Sequence, residues 1–163
     1  MNIDIICVGK IKERYFSDAI SEYTKRLGRF AKISVTEVPD EKTPQGASEK
    51  TCEKIKEIEG DKILSKLKPG FTISMCIEGK QLSSTEIAEK LSDIMNSSSQ
   101  LNLIIGGSLG LSEKVKKASD MRLSFGKITL PHQLMRVVLC EQVYRAFKIL
   151  SNETYHKYFN EYN

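Results

Sequence analysis

Two periods of apolar residues alternate along the chain. Ile3 to Gly9, "IDIICVG", is a short β-branched run closed by glycine, which predicts a buried strand. From Tyr15 to Leu27 the apolar positions Phe16, Ile20, Tyr23 and Leu27 fall at helical spacing. "KISVTEV" (Lys32 to Val38) alternates as a strand does and ends at Pro39, and Asp40 to Ser48 is a polar loop. Ala47 to Leu67 is highly charged, with Ile55, Ile58 and Leu67 among few apolar positions, and is expected to be a largely exposed helix. Pro69 to Lys80 reads as a turn, a buried strand and a glycine loop, "IEGK". Ser84 to Met95 carries Ile87, Leu91 and Ile94 on one helical face.

A second half of the same kind follows. "LNLIIGG" is a buried strand running into the glycine loop "GGSLG", and Leu111 to Ala118 is a short helix. Met121 to His132 holds one or two short extended pieces around Gly126. Pro131 suits the first turn of a last helix, where its missing N–H is no loss. That helix runs to about Leu150, with an apolar stripe of Leu134, Val137, Val138, Val143, Phe147 and Leu150.

The strand–helix alternation predicts an α/β fold: a mainly parallel sheet with helices on both faces, in one domain spanning residues 1–163. Ligands of such sheets bind beyond the carboxyl ends of strands. Three segments leave such ends: "EGK" after Ile77, "GGSLG" after Ile105, and residues 125–132.

Composition narrows the class. With 163 residues, 40% hydrophobic and 28% charged, the chain is long enough to bury a core and too apolar to be disordered. No stretch approaches the roughly 20 apolar residues of a membrane span, and the first residues lack a signal-peptide pattern, so a cytoplasmic protein is expected. The four cysteines form no CxxC pair and only two histidines accompany them, so reduced thiols and no metal site are expected. The net charge of +4 is uneven: Ser112 to Asn163 holds nine Lys/Arg against five Asp/Glu, while the rest balances. That bias permits an anionic partner such as RNA.

The glycine loop excludes two common chemistries. GGxxG after a late strand is not the GxGxxG of a dinucleotide fold, and no GK[ST] follows to make a phosphate loop. On spacing alone it is either a structural turn or a ligand site. No GxSxG elbow occurs, so nucleophilic catalysis has little support. His132 and Arg136, four apart on the last helix, share one face. Arg136 amid apolar neighbours is expected to be paired or to face a ligand. Glu141 and Arg145 have the spacing of a helix ion pair. Lys10, Lys12, Arg14, Lys25, Arg26 and Arg29 form either a phosphate-contacting surface or a solvated helix face.

Several segments together resemble one family: "CVGK" (Cys7 to Lys10), "EYTKRLG" (Glu22 to Gly28), "EVPDEK" (Glu37 to Lys42), "IEGK" (Ile77 to Lys80), "IIGGSLGL" (Ile104 to Leu111), "LSFGKITLPHQLMRVVLCEQVYRAFKI" (Leu123 to Ile149) and "YHK" (Tyr155 to Lys157). Over essentially the whole chain the sequence is similar to the bacterial SPOUT-class family known as ribosomal RNA large-subunit methyltransferase H. The resemblance implies a homodimer with a C-terminal trefoil knot. The implied activity is transfer of a methyl group from S-adenosylmethionine to N3 of a pseudouridine in 23S rRNA, on the assembled 70S ribosome. It implies a cofactor site of Met75, Gly106, Phe125, Gly126, Lys127, Ile128, Thr129 and Leu130. It also makes His156, Tyr155, Arg136 and His132 the candidates for proton removal or substrate positioning, with no metal. The chain departs from the family at its end, where Thr154 precedes the "YH" and Tyr158 to Asn163 follow it. The competing reading is a non-catalytic RNA- or ribosome-binding α/β protein.

Overall fold

The computed structural model describes residues 1–155. The elements are β1 (Asn2–Val8), α1 (Arg14–Leu27), β2 (Lys32–Val38), α2 (Glu49–Leu64), β3 (Phe71–Gln81), α3 (Ser84–Ser97), β4 (Gln100–Ile105), α4 (Glu113–Ala118), β5 (Met121–Ser124) and α5 (His132–Leu150). The five strands form one parallel sheet in the order β2-β1-β4-β3-β5. Among the described residues no helix is long and apolar enough to cross a membrane.

Successive side chains of a strand point to opposite faces, and here both faces are covered. On one face Ile3, Ile5, Cys7, Leu101, Leu103, Ile105, Ile73, Met75 and Leu123 meet the buried sides of α1, α3 and α5. On the other, Ile6, Val8, Val38 and Ile104 meet Ile63 of α2 and Val115 of α4. Burial on both faces is why β1 and β4 read as continuous apolar runs. The second face turns polar toward the strands' amino ends. Ser34, Asp4, Asn102 and Thr72 stand in one register row across four strands. Asn102 there donates to the Thr72 hydroxyl (3.1 Å) and the Lys68 carbonyl (2.8 Å).

Local signals account for the helix starts. Ser48 and Ser83 each accept a backbone N–H of the first turn, and Ser83 with Glu86 completes a capping box.

Three expectations need correction. The "IEGK" stretch does not leave the sheet. β3 bulges between Met75 and Lys80 and then pairs again with β5, Lys80 opposite Leu123. Gly79 permits this, since a Cβ there would lie 2.6 Å from the Leu123 carbonyl carbon. The charged helix is shorter than Ala47 to Leu67, and its buried stripe is Ile55, Glu59, Gly60 and Ile63, with Ile58 exposed. On α5 the core side is Leu139, Cys140, Val143, Ala146 and Phe147; Leu134, Val137 and Val138 are half-buried and Leu150 is exposed. That helix is apolar around much of its circumference, so periodicity alone did not select its inner side.

Candidate functional site

The carboxyl ends of β4 and β5 and the bulge within β3 open into one pocket of about 640 Å³. Three segments wall it: Met75 to Glu78 at the β3 bulge, Ile105 to Leu111 after β4, and Leu123 to Gly126 with Ile128 to His132 between β5 and α5. Lys56 of α2 and Lys116 of α4 close one side. The position is the one open α/β sheets reserve for ligands, and the volume falls in the usual range of small-molecule sites, about 300–1,000 Å³.

The glycine loop is a closed turn. Gly107 and Gly110 form an isolated antiparallel bridge, and the Gly110 N–H donates to the Gly107 carbonyl at 3.1 Å. A Cβ on Gly106 would lie 2.8 Å from the Gly110 carbonyl carbon, so this wall is backbone packed on backbone. Behind it, Glu59 of α2 is 5% exposed, and its Oε2 has no hydrogen-bond partner among the described residues.

Of the eight residues expected to hold a cofactor, seven line this pocket: Met75, Gly106, Phe125, Gly126, Ile128, Thr129 and Leu130. Lys127 does not, although it sits between two that do. Sequence reasoning missed Lys56, Lys116 and Leu111 as walls, and Glu59 behind the loop. Glu59 had a legible signal: Ile55, Glu59 and Ile63 are four apart, so the carboxyl rides the buried stripe of α2.

The four candidates for chemistry separate. His132 lines the pocket at the start of α5. Burial, reinforced by the Arg136 charge, pushes its pKa below the usual histidine value, so the imidazole is neutral at pH 7. Arg136 lies outside the pocket walls and is 1% exposed. Its Nη2 donates to the carbonyls of Val8 (2.9 Å) and Gly9 (2.6 Å), and its Nη1 to Glu37 Oε1 (2.9 Å).

Tyr155 packs edge-on against Tyr144 at 5.0 Å, beneath the Arg145 guanidinium at 4.9 Å. Burial pushes its phenol up to about 12. It folds back along α5, where its hydroxyl donates to Glu141 Oε1 at 3.4 Å, nine residues or about 14 Å along the helix from His132, and it is not among the pocket walls. His156 lies outside the described residues. The Glu141–Arg145 helix pair forms, at 2.6 Å.

A parallel sheet with a backbone-walled pocket at two strand ends and the β3 bulge defines an α/β domain suited to a small molecule held without a phosphate loop. Comparison with known proteins narrows that class. The family model described as a predicted SPOUT methyltransferase matches residues 1–156. The ribosomal RNA large subunit methyltransferase H of Lactobacillus acidophilus is 56% identical over 159 residues, 96% of this chain and all of that protein. The protein of the same name from Bifidobacterium animalis subsp. lactis is 55% identical over the same shares. Among solved structures, a tRNA (m1G37) methyltransferase from Aquifex aeolicus has the same fold, with a TM-score of 0.55 at 18% identity, covering 99% of this chain and 77% of that one. A probable methylase family protein from Haemophilus influenzae gives 0.53 at 12% identity, with 96% and 70% coverage. The chain belongs to the SPOUT methyltransferase family.

Proposed function

We propose that this protein, working in the cytoplasm as a homodimer, transfers the methyl group of S-adenosylmethionine to N3 of a pseudouridine in 23S rRNA of the assembled 70S ribosome. In this reading residues 1–163 are one domain with a C-terminal trefoil knot. The names of the relatives at 56% and 55% identity support the rRNA substrate. The observation that carries the reading is the pocket, where three segments separated in sequence converge.

The residues present fit the methyl donor. Aliphatic side chains of Met75, Ile105, Leu111, Leu123 and Leu130 suit a purine ring, and the close-packed loop backbone offers polar groups without side-chain bulk. When bound, S-adenosylmethionine supplies a methyl group on a positively charged sulfur. What this chain adds is alignment of the donor and acceptor, a gain of several kcal/mol, and removal of the N3 proton. The neutral imidazole of His132 is the pocket's candidate acceptor for that proton. Arg136 supports it from the next turn by tying α5 to the ends of β1 and β2. Tyr155, held beside Glu141 and Arg145 outside the pocket walls of its own chain, serves the reaction from the second copy of a dimer, and His156 is the remaining candidate.

Tritium from labelled S-adenosylmethionine should enter 23S rRNA when the protein meets 70S ribosomes from a strain lacking the modification, and not enter free rRNA. Ribosome binding indifferent to the methyl donor, with no label incorporated, would establish the non-catalytic alternative instead.

A further inference from the structure

Two consecutive residues of α2 grip the glycine loop. At Gly60 a Cβ would lie 2.5 Å from the Ser112 hydroxyl oxygen, so the helix backbone meets the loop's exit there. At Gly107 a Cβ would lie 3.1 Å from Glu59 Oε2 and 3.1 Å from Val8 Cγ1, so the missing side chain is a socket holding a carboxyl oxygen. The other carboxyl oxygen accepts the Glu41 N–H at 3.0 Å, which links the socket to the segment after β2.

We propose that Glu59 is a positioning residue of the cofactor pocket: its carboxyl fills the socket at Gly107 and sets the height of the glycine loop over α2. The inference rests on the methyl-donor reading of the pocket and adds a residue outside its walls. Oε2 lies against Val8 and Gly107 without a hydrogen-bond partner among the described residues, a setting that costs the ionised form more than the protonated one. Burial pushes this carboxyl above the ordinary glutamate value, and the neighbouring Asp40 and Glu41 charges add to that. Lys62 opposes them from the same helix but is itself engaged by Glu41 and the Pro39 carbonyl. β1 and the glycine loop face Glu59 with the uncharged Val8 and Gly107. A protonated carboxyl and a carboxamide have nearly the same shape, so glutamine is the conservative replacement.

Calorimetric titration of S-adenosylmethionine into the full-length protein from pH 6 to 9, with a thermal melt of each variant, tests this. Glu59→Gln should bind within about twofold of wild type, because the carboxamide fills the same socket. Glu59→Ala and Gly107→Ala should each weaken binding about tenfold, within what displaced supporting residues cost. The double variant should bind better than the product of the two losses, because the methyl group added at Gly107 occupies the space Glu59 vacates. If Glu59→Ala does not fold, Glu59→Gln and Gly107→Ala carry the test. Wild-type affinity in every folded variant would overturn the inference alone. A loss in Glu59→Gln equal to that in Glu59→Ala would also overturn it, since the charge would then be what matters. Wild-type protein that takes up no S-adenosylmethionine would overturn the methyl-donor reading, and this inference with it.

Discussion

Arg136 Nη1 donates to Glu37 Oε1 at 2.9 Å, joining α5 to the end of β2 across 99 residues of sequence. The guanidinium is 1% exposed and also holds the carbonyls of Val8 and Gly9. Removing it takes the donor from the carbonyls of Val8 and Gly9, while Glu37, which is exposed, still accepts the Ile11 N–H at 3.3 Å. Arg136→Gln should lose about 1–3 kcal/mol in urea unfolding, the usual cost of leaving buried acceptors unsatisfied. Arg136→Lys should recover little of it, because a single ammonium cannot reproduce the fork that reaches three acceptors. Unchanged stability with lost methylation would instead make Arg136 a reacting group.

His132 carries a pH prediction in two parts. Its pKa is lowered in the folded protein, burial being the main cause. A depressed group contributes stability that is present above its unfolded value, near 6.5, and lost as pH falls through the folded value below it. Wild-type stability should therefore drop on acidification below about pH 6.5, and His132→Asn should flatten that part of the profile. In single-turnover methylation His132→Asn should be slower by about 10²–10⁴-fold, the usual share of a positioned base. A loss under threefold would move the proton acceptor elsewhere.

Gly106→Ala places a methyl group 2.8 Å from the Gly110 carbonyl carbon, backbone that cannot swing aside. The loop must shift, at a cost of about 1–3 kcal/mol for an overpacked contact. S-adenosylmethionine affinity should fall while ribosome binding persists, which equilibrium dialysis and sedimentation separate.

The thiols should sort by position. Cys7 and Cys140 are buried, and burial pushes both up to about 12, so neither should react with iodoacetamide in the folded protein. Cys76 is half-buried in the pocket wall, with its pKa raised chiefly by burial. It should alkylate slowly, faster at high pH, and S-adenosylmethionine should protect it. Mass-mapped labelling that ignores the methyl donor would place that ligand elsewhere.

The sequence by itself determined the elements and the sides of most of them. β1 and β4 are legible because a strand buried on both faces has no polar alternation, and α1 and α3 because each shows one apolar stripe. Two pocket segments were legible as places where strands end and the third as a glycine-bearing stretch, with the family resemblance supplying seven of the lining residues. Tertiary structure decided the rest. Whether "IEGK" leaves the sheet depends on a close approach to Leu123 that Gly79 permits and no local preference encodes. Arg136 looked like His132's companion at a ligand because both share a helix face, yet its partners come from Val8, Gly9 and Glu37, more than 90 residues away. Tyr155, a site candidate by resemblance, packs instead on Tyr144 and Arg145 of α5, outside the pocket walls. Periodicity records which side of an element is buried; which groups meet there depends on the packing of segments distant in the chain.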